Sequence, residues 1–367
     1  MPSKLAITSM SLGRCYAGHS FVHKLDMAHK YGYQGLELFH EDLADVAVQL
    51  SNEPPSPDGP SPAAQLAAAE HIAQLCCARG ISILCLQPFS QYDGLLDRAE
   101  HARRLDQLSL WISLAHTLGT DMIQIPANFL PADQVTTDLS LIVSDLQKVA
   151  DIGLSSSPPI RFVYEALCWS TRVDTWEKSW EVVSLVDRPN FGLCLDTFNI
   201  AGRIFADPTS PSGRTPNAME AVRQSISRML SSIDVSKVFY VQVVDAERLS
   251  SPLTPSHPFY HPDQPARMSW SRNCRLFYGE KTHGAYLPVK EIAWAIFQGL
   301  GFEGWVSLEL FNRRMGDTDP SVPEELAKRG AVSWAKLVKD MHLNPLIQSD
   351  VRVKHEEKIF TTATPTP

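Results

Sequence analysis

Eight short apolar runs recur along this chain of 367 residues, with longer stretches of helical period between them. This rhythm restricts the fold more than any other feature. The runs are "LAITSM" (5–10), "GLELF" (35–39), "SILCLQ" (82–87), "MIQIPA" (122–127), "RFVYEA" (161–166), "FGLCLD" (191–196), "VFYVQVVD" (238–245) and "WVSLEL" (305–310). Helices are expected over 21–31, 62–79, 97–118, 134–151, 174–186, 216–232, 288–299 and 322–341. Several end in a glycine just before the next strand, as in "CARGISILCL" and "HTLGTDMIQI", the stop signal of a βα repeat. Eight such units predict a single α/β domain, a (β/α)8 barrel over 1–345, in preference to an open doubly wound sheet.

Two segments break the rhythm. "SNEPPSPDGPSP" (51–62), after the second strand, reads as a surface excursion, since its composition cannot pack a core. The stretch 246–287, after the seventh strand, is far longer than an ordinary βα connection and is rich in aromatic, His and Arg residues. It leaves the C-terminal end of a strand, the catalytic face of such a barrel, so a functional role is expected. Residues 346–367 form a C-terminal extension whose end, "TTATPTP", has the composition of a disordered tail.

Composition narrows the partners. The net charge is −8 and the basic residues are scattered, which argues against a nucleic-acid or membrane surface. No apolar segment has the length of a signal peptide core or a membrane span, and the cytosol is the expected compartment. Seven cysteines without a C-x-x-C pair read as reduced thiols. The oligomeric state is not legible, which leaves a homo-oligomer open.

The chemistry lies at the strand ends. Glu165, Asp196 and Glu309 each close an apolar run, where an unpaired charge is costly to bury. One acid so placed usually caps the next helix or pairs with an arginine. Three on neighbouring strands, with Gln242 on the strand between, form an oxygen-only cage. Adjacent carboxylates repel unless protonated or bridged by a cation, and oxygen ligands suit a hard divalent ion better than structural zinc. Glu37 repeats the pattern on the second strand, and its place in the ring favours contact with substrate or with the ligands over the metal.

The chain resembles the sugar-phosphate-isomerase-like barrels, whose metal is held by Glu, Asp, His or Gln, and Glu from these four strands. More closely, "SMSLGRCYAGHSFVHKLDMAHKYGYQGLELFHEDL", "LCLQPF", "LGTDMIQIP", "VYEALCW", "GLCLDTFNIAGR" and "RNCRLFYGE" resemble the fungal 3-dehydroshikimate dehydratases of quinate catabolism. The resemblance runs from about residue 3 to about residue 340. It implies a hydro-lyase that converts the small anion 3-dehydroshikimate to protocatechuate and water, with Mg²⁺, Mn²⁺ or Co²⁺. It carries over Glu165, Asp196, Gln242 and Glu309 as metal ligands, with Glu165 and Glu309 as catalytic groups. Ser271 and Arg275 match substrate-contacting positions, and Arg275 is the expected partner of the substrate carboxylate.

Two departures concern the base. Some relatives have a histidine where this chain has Leu167, and others have one where it has Asn199, which is counted here with the substrate contacts. His19, His40, His257, His261 and His283 are alternative candidates, with Tyr278 and Glu280 as supporting groups. A metal-dependent sugar isomerase or epimerase on the same barrel, or an inactive pathway sensor, are the competing readings.

Overall fold

The computed structural model describes residues 2–51, 56 and 59–346, so half of the proline-rich 51–62 excursion and nearly all of the C-terminal extension lie outside it. Eight parallel strands close into a barrel: β1 (Lys4–Thr8), β2 (Gly35–Phe39), β3 (Ser82–Gln87), β4 (Met122–Pro126), β5 (Arg161–Glu165), β6 (Phe191–Asp196), β7 (Val238–Gln242) and β10 (Trp305–Leu308). Seven of the eight expected runs contain their strand, and β1 begins one residue before its run, at Lys4. Around the ring every strand neighbours the next in sequence, and β10 closes on β1 with Lys4 to Ile7 facing Trp305 to Leu308.

The main outer helices are α1 (Phe21–Lys30), α3 (Pro62–Cys77), α4 (Arg98–Leu118), α5 (Leu139–Ser155), α6 (Trp176–Val186), α8 (Ala218–Ser232), α10 (Val289–Trp294) and α11 (Val322–Asp340). Side chains fix several of their starts: Ser20, Ser61, Asp97, Asp138 and Thr175 each accept a hydrogen bond from the first turn of the helix they precede. The Asp138 cap explains why α5 begins at Leu139 and not near 134. Gly119, with φ of 74°, ends α4 in the left-handed conformation that the glycine stop signal requires.

Three features depart from the expected pattern. Strand seven is not continuous over 238–245: β7 stops at Gln242, and β8 (Val244–Ala246) turns out of the barrel to pair antiparallel with β9 (Arg275–Phe277). Val243 N donates to Ser307 O at that bend, the last rung before the chain leaves the ring. Further helices, α2 (His40–Leu50) and α7 (Thr197–Ile204), follow directly on β2 and β6. The long 246–287 connection carries α9 (Ala266–Cys274) back across the barrel mouth.

The barrel interior is filled in two belts. The lower belt is Ala6, Leu84, Cys85, Met122, Val163, Cys194 and Tyr240, a compact cluster separate from the larger core between strands and helices. Below it Trp305 lies across Gly35, where any Cβ would fall 2.4 Å from the indole, so only glycine admits this floor. The upper belt, at the C-terminal strand ends, is polar.

Candidate active site

Period-two alternation puts every second residue of a strand inside the barrel. In the upper belt those residues are Thr8, Glu37, Gln87, Gln124, Glu165, Asp196, Gln242 and, just past β10, Glu309. All eight are polar, and none is more than 4% exposed. Such groups are tolerated only when hydrogen-bonded or charge-compensated, and their partners divide them into two halves.

In one half Glu37 is fully occupied. Its carboxylate accepts from Thr8 Oγ1 at 3.1 Å, Gln87 Nε2 at 2.8 Å, Tyr240 OH at 2.9 Å and Gln242 Nε2 at 2.9 Å. Glu37 therefore sits behind the site, where it fixes the Gln242 amide, and it does not line the cavity described below.

The other half is the acid cluster. Glu165, Asp196 and Glu309 each place an oxygen within 4.8 Å of the others, and all three are buried. Asn199, on the first turn of α7, donates from one Nδ2 to Glu165 Oε1 and Asp196 Oδ2, both at 2.8 Å, while its Oδ1 accepts from Cys168 N. Gln124 Nε2 donates to Glu165 Oε2, and Gln87 Nε2 reaches Glu309 Oε1 at 3.2 Å. Asp196 serves two ends: Oδ1 caps α7 by accepting from Phe198 N at 2.7 Å, and Oδ2 faces the cluster.

Arg275 is also drawn into this cluster. Its Nη1 donates to Asp196 Oδ2 at 2.9 Å and Glu309 Oε2 at 3.1 Å, and its Nε donates to Ser271 Oγ at 3.0 Å. The guanidinium lies between the rings of Phe198 and Phe311, 4.2 and 4.9 Å from their centroids. It is thus engaged with the acids.

Four buried carboxylates against one buried guanidinium leave an excess of negative charge. Burial pushes all four pKa values up, that of Glu309 to about 8. That of Glu165 stands well above the ordinary range, because the charges of Glu309 and Asp196 add to its burial. Gln242 Oε1 is buried and has no hydrogen-bond partner among the described residues, since Glu37 takes its amide nitrogen. An orphaned amide oxygen beside three crowded carboxylates is a donor set suited to a hard divalent cation.

A cavity of about 230 Å³ opens above the cluster. Its floor is Gln87, Gln124, Glu165, Arg275 and Glu309, and its walls include Phe39, Phe129, Leu167, Trp169, Met268 and Phe311. This is below the ~300–1,000 Å³ of drug-sized sites and suits a small ring compound. A larger, open groove of about 740 Å³ between α4 and α5 lies on the outside of the barrel, away from these acids.

None of the candidate histidines lines the cavity. His19 bonds to Asp317 O, His40 stacks on Trp111 and bonds to Gln65, and His261 and His283 are exposed. His257 packs on Phe259 in the long connection, Tyr278 donates to Asp340 and Glu280 pairs with Arg329. The sequence reading missed Thr8, Gln87 and Gln124. The signal was present, since each occupies in its own strand the inward position that Glu165 occupies in β5.

Comparison with known proteins agrees with this architecture. The model of the xylose isomerase-like TIM barrel family matches residues 25–337. A 3-dehydroshikimate dehydratase of Neurospora crassa is 73% identical over 343 residues, 94% of this chain and 96% of that protein. A 3-dehydroshikimate dehydratase of Pseudomonas aeruginosa is 27% identical over 79% of this chain, which covers only 36% of that longer protein. Among solved structures, the IOLI protein with a binding zinc atom superimposes with a TM-score of 0.65 at 18% identity, over 92% of this chain and 99% of that one. The chain belongs to the xylose isomerase-like TIM barrel family, and within it to the group of the Neurospora 3-dehydroshikimate dehydratase.

Proposed function

We propose that this chain is a metal-dependent hydro-lyase that converts 3-dehydroshikimate to protocatechuate and water. The observation that carries the reading is the acid cluster with its orphaned amide oxygen at the floor of a small-ring cavity, in a chain so close to a protein of that name. Glu165, Asp196, Gln242 and Glu309 would hold the cation. When bound, it supplies Lewis-acid stabilisation of negative charge developing on the substrate ketone.

The reaction removes a proton α to the ketone and breaks the β carbon–oxygen bond, so that one water leaves, and enolisation of the resulting dienone makes the ring aromatic. A base is needed beside the ring. Besides the arginines Arg272 and Arg275, the ionisable groups lining the cavity are Glu165 and Glu309, so the proton goes to one of these carboxylates. Asn199 and Gln124 hold Glu165, and Gln87 holds Glu309, so that each acid keeps its orientation. The apolar walls exclude water from a ring intermediate. Seven free cysteines, five of them buried, support the cytosol as the compartment, and among the described residues no helix is long and apolar enough to cross a membrane.

The test is to treat purified protein with EDTA, restore Mg²⁺, Mn²⁺ or Co²⁺, and follow product absorbance with 3-dehydroshikimate. Metal-restored turnover is the expected result. No protocatechuate with any of the three ions sinks the proposal.

A further inference from the structure

Helix α9 presents Met268, Ser271 and Arg272 to the cavity, and Arg275 follows it, a spacing of i, i+3, i+4 and i+7 that keeps one helical face over the acids. The two arginines on this face are in opposite situations. Arg275 is buried, sandwiched between two rings and bonded to Asp196 and Glu309. Arg272 stands exposed at the mouth, and no hydrogen bond or ion pair joins its side chain to any described residue.

The surroundings of Arg272 deepen the contrast. It lines both the acid-floored cavity and a neighbouring recess that it shares with Arg14, Tyr16 and Arg313. Arg14 is paired with Glu41, and Arg313 with Glu247, but Arg272 has no such acid. Partial burial and then the nearby Arg14 charge hold its pKa below the usual arginine value, as expected where like charge goes uncompensated. In a chain of net charge −8, an uncompensated guanidinium at a cavity mouth is free to pair with an anion from outside.

We propose that Arg272 binds the carboxylate of the substrate, while Arg275 remains with the acids of the cluster. This rests on the dehydratase reading for the identity of the substrate, though not for the anion site itself. Bidentate guanidinium–carboxylate pairing would orient the ring with its ketone side towards Glu165 and Glu309 and its carboxylate towards the mouth. Phe39 and Phe311, which line the same cavity and meet edge to face with centroids 6.3 Å apart, give the ring an apolar wall to pack against.

The test compares Arg272→Ala and Arg272→Lys with the metal-loaded wild type. It measures turnover of 3-dehydroshikimate, and separately the calorimetric affinity for protocatechuate and for catechol, which lacks the carboxylate. Loss of a charged hydrogen-bond pair predicts that Arg272→Ala raises KM about 10- to 100-fold, with a smaller change in kcat. It also predicts that the variant loses the preference for protocatechuate over catechol, while Arg272→Lys recovers part of both. Because Arg272 is exposed and unbonded, the variant should fold normally, checked by circular dichroism. An Arg272→Ala enzyme with unchanged KM and an intact preference for protocatechuate overturns the proposal. If the wild type fails to turn over 3-dehydroshikimate, the dehydratase reading falls alone, and the binding arm still decides whether Arg272 holds a carboxylate.

Discussion

The two belts inside this barrel are built on the same strands, two residues apart, and obey opposite rules. Ala6 is followed by Thr8, Cys85 by Gln87, Met122 by Gln124, Val163 by Glu165, Cys194 by Asp196 and Tyr240 by Gln242. The lower belt is stabilised by exclusion of water and by dispersion among close-packed side chains. The upper belt is equally buried, yet it is held by hydrogen bonds and left with excess negative charge. Burial alone therefore does not distinguish core from site; what does is whether the buried groups satisfy one another. The lower belt is satisfied, its one hydroxyl, that of Tyr240, donating to Glu37 above it, while in the upper belt Gln242 Oε1 and Gln124 Oε1 are left without partners among the described residues.

The contrast can be tested by altering each belt in turn. The largest effect is expected from Glu165→Ala or Glu309→Ala, which should lower turnover by roughly three orders of magnitude and abolish metal retention. The metal-free Glu165→Ala protein should be no less stable than the wild type, because a crowded buried carboxyl has been removed, whereas Glu309→Ala also strips Arg275 of an ion-pair partner and should be destabilised. Near-full turnover in either variant would remove that residue from the site.

Met122→Ala, two positions before Gln124, should do the reverse. It should cost about 2–5 kcal/mol in urea unfolding and leave metal affinity within a few-fold of wild type. If metal affinity collapses instead, the two belts are not separable.

Glu37→Gln keeps the shape but exchanges an acceptor for a donor towards the Gln242 amide, which would then be free to turn. Metal affinity by titration calorimetry should fall about 10- to 100-fold. An unchanged affinity would mean that Glu37 does not set the amide.

The smallest expected effect is the pH response of the metal-free protein. The Glu309 pKa is raised from the ordinary carboxyl range to about 8, so the native chain keeps a proton that the unfolded chain has released. The stability this contributes is present below the ordinary carboxyl pKa and is lost as pH rises through about 8. Metal binding should run in the opposite sense, strengthening as pH rises to the same point, since cation and proton compete for the same oxygens. Unfolding curves and metal titrations on either side of pH 8 measure the two slopes, and slopes of equal sign would contradict the assignment.

The barrel was legible because strand-length runs, helical periods and glycine stops all report local structure, and local structure repeated eight times leaves few topologies. The acids Glu165, Asp196 and Glu309 were legible because a charge ending an apolar run is anomalous. Gln87 and Gln124 were not, since a neutral amide in a strand raises no alarm until its partners are seen. The state of Arg275 was hidden for another reason. Its partners lie 79 and 34 residues away, and only closure of the barrel and the return of α9 across its mouth bring them together. Glu37 shows the same limit: its place on β2 was clear, but the four donors that occupy it come from three other strands, β1, β3 and β7.

The Gln242 amide also bears on how the site responds to acid. A histidine in its place would carry its own proton near neutrality, and a ligand that takes up a proton there releases its ion. An amide has no such transition, so at this corner of the cage the hold on a cation would not weaken as a cell acidifies. Sensitivity to acid is left entirely to the three carboxylates, and the Glu37 carboxylate, by gripping the amide nitrogen, keeps the oxygen as the atom offered.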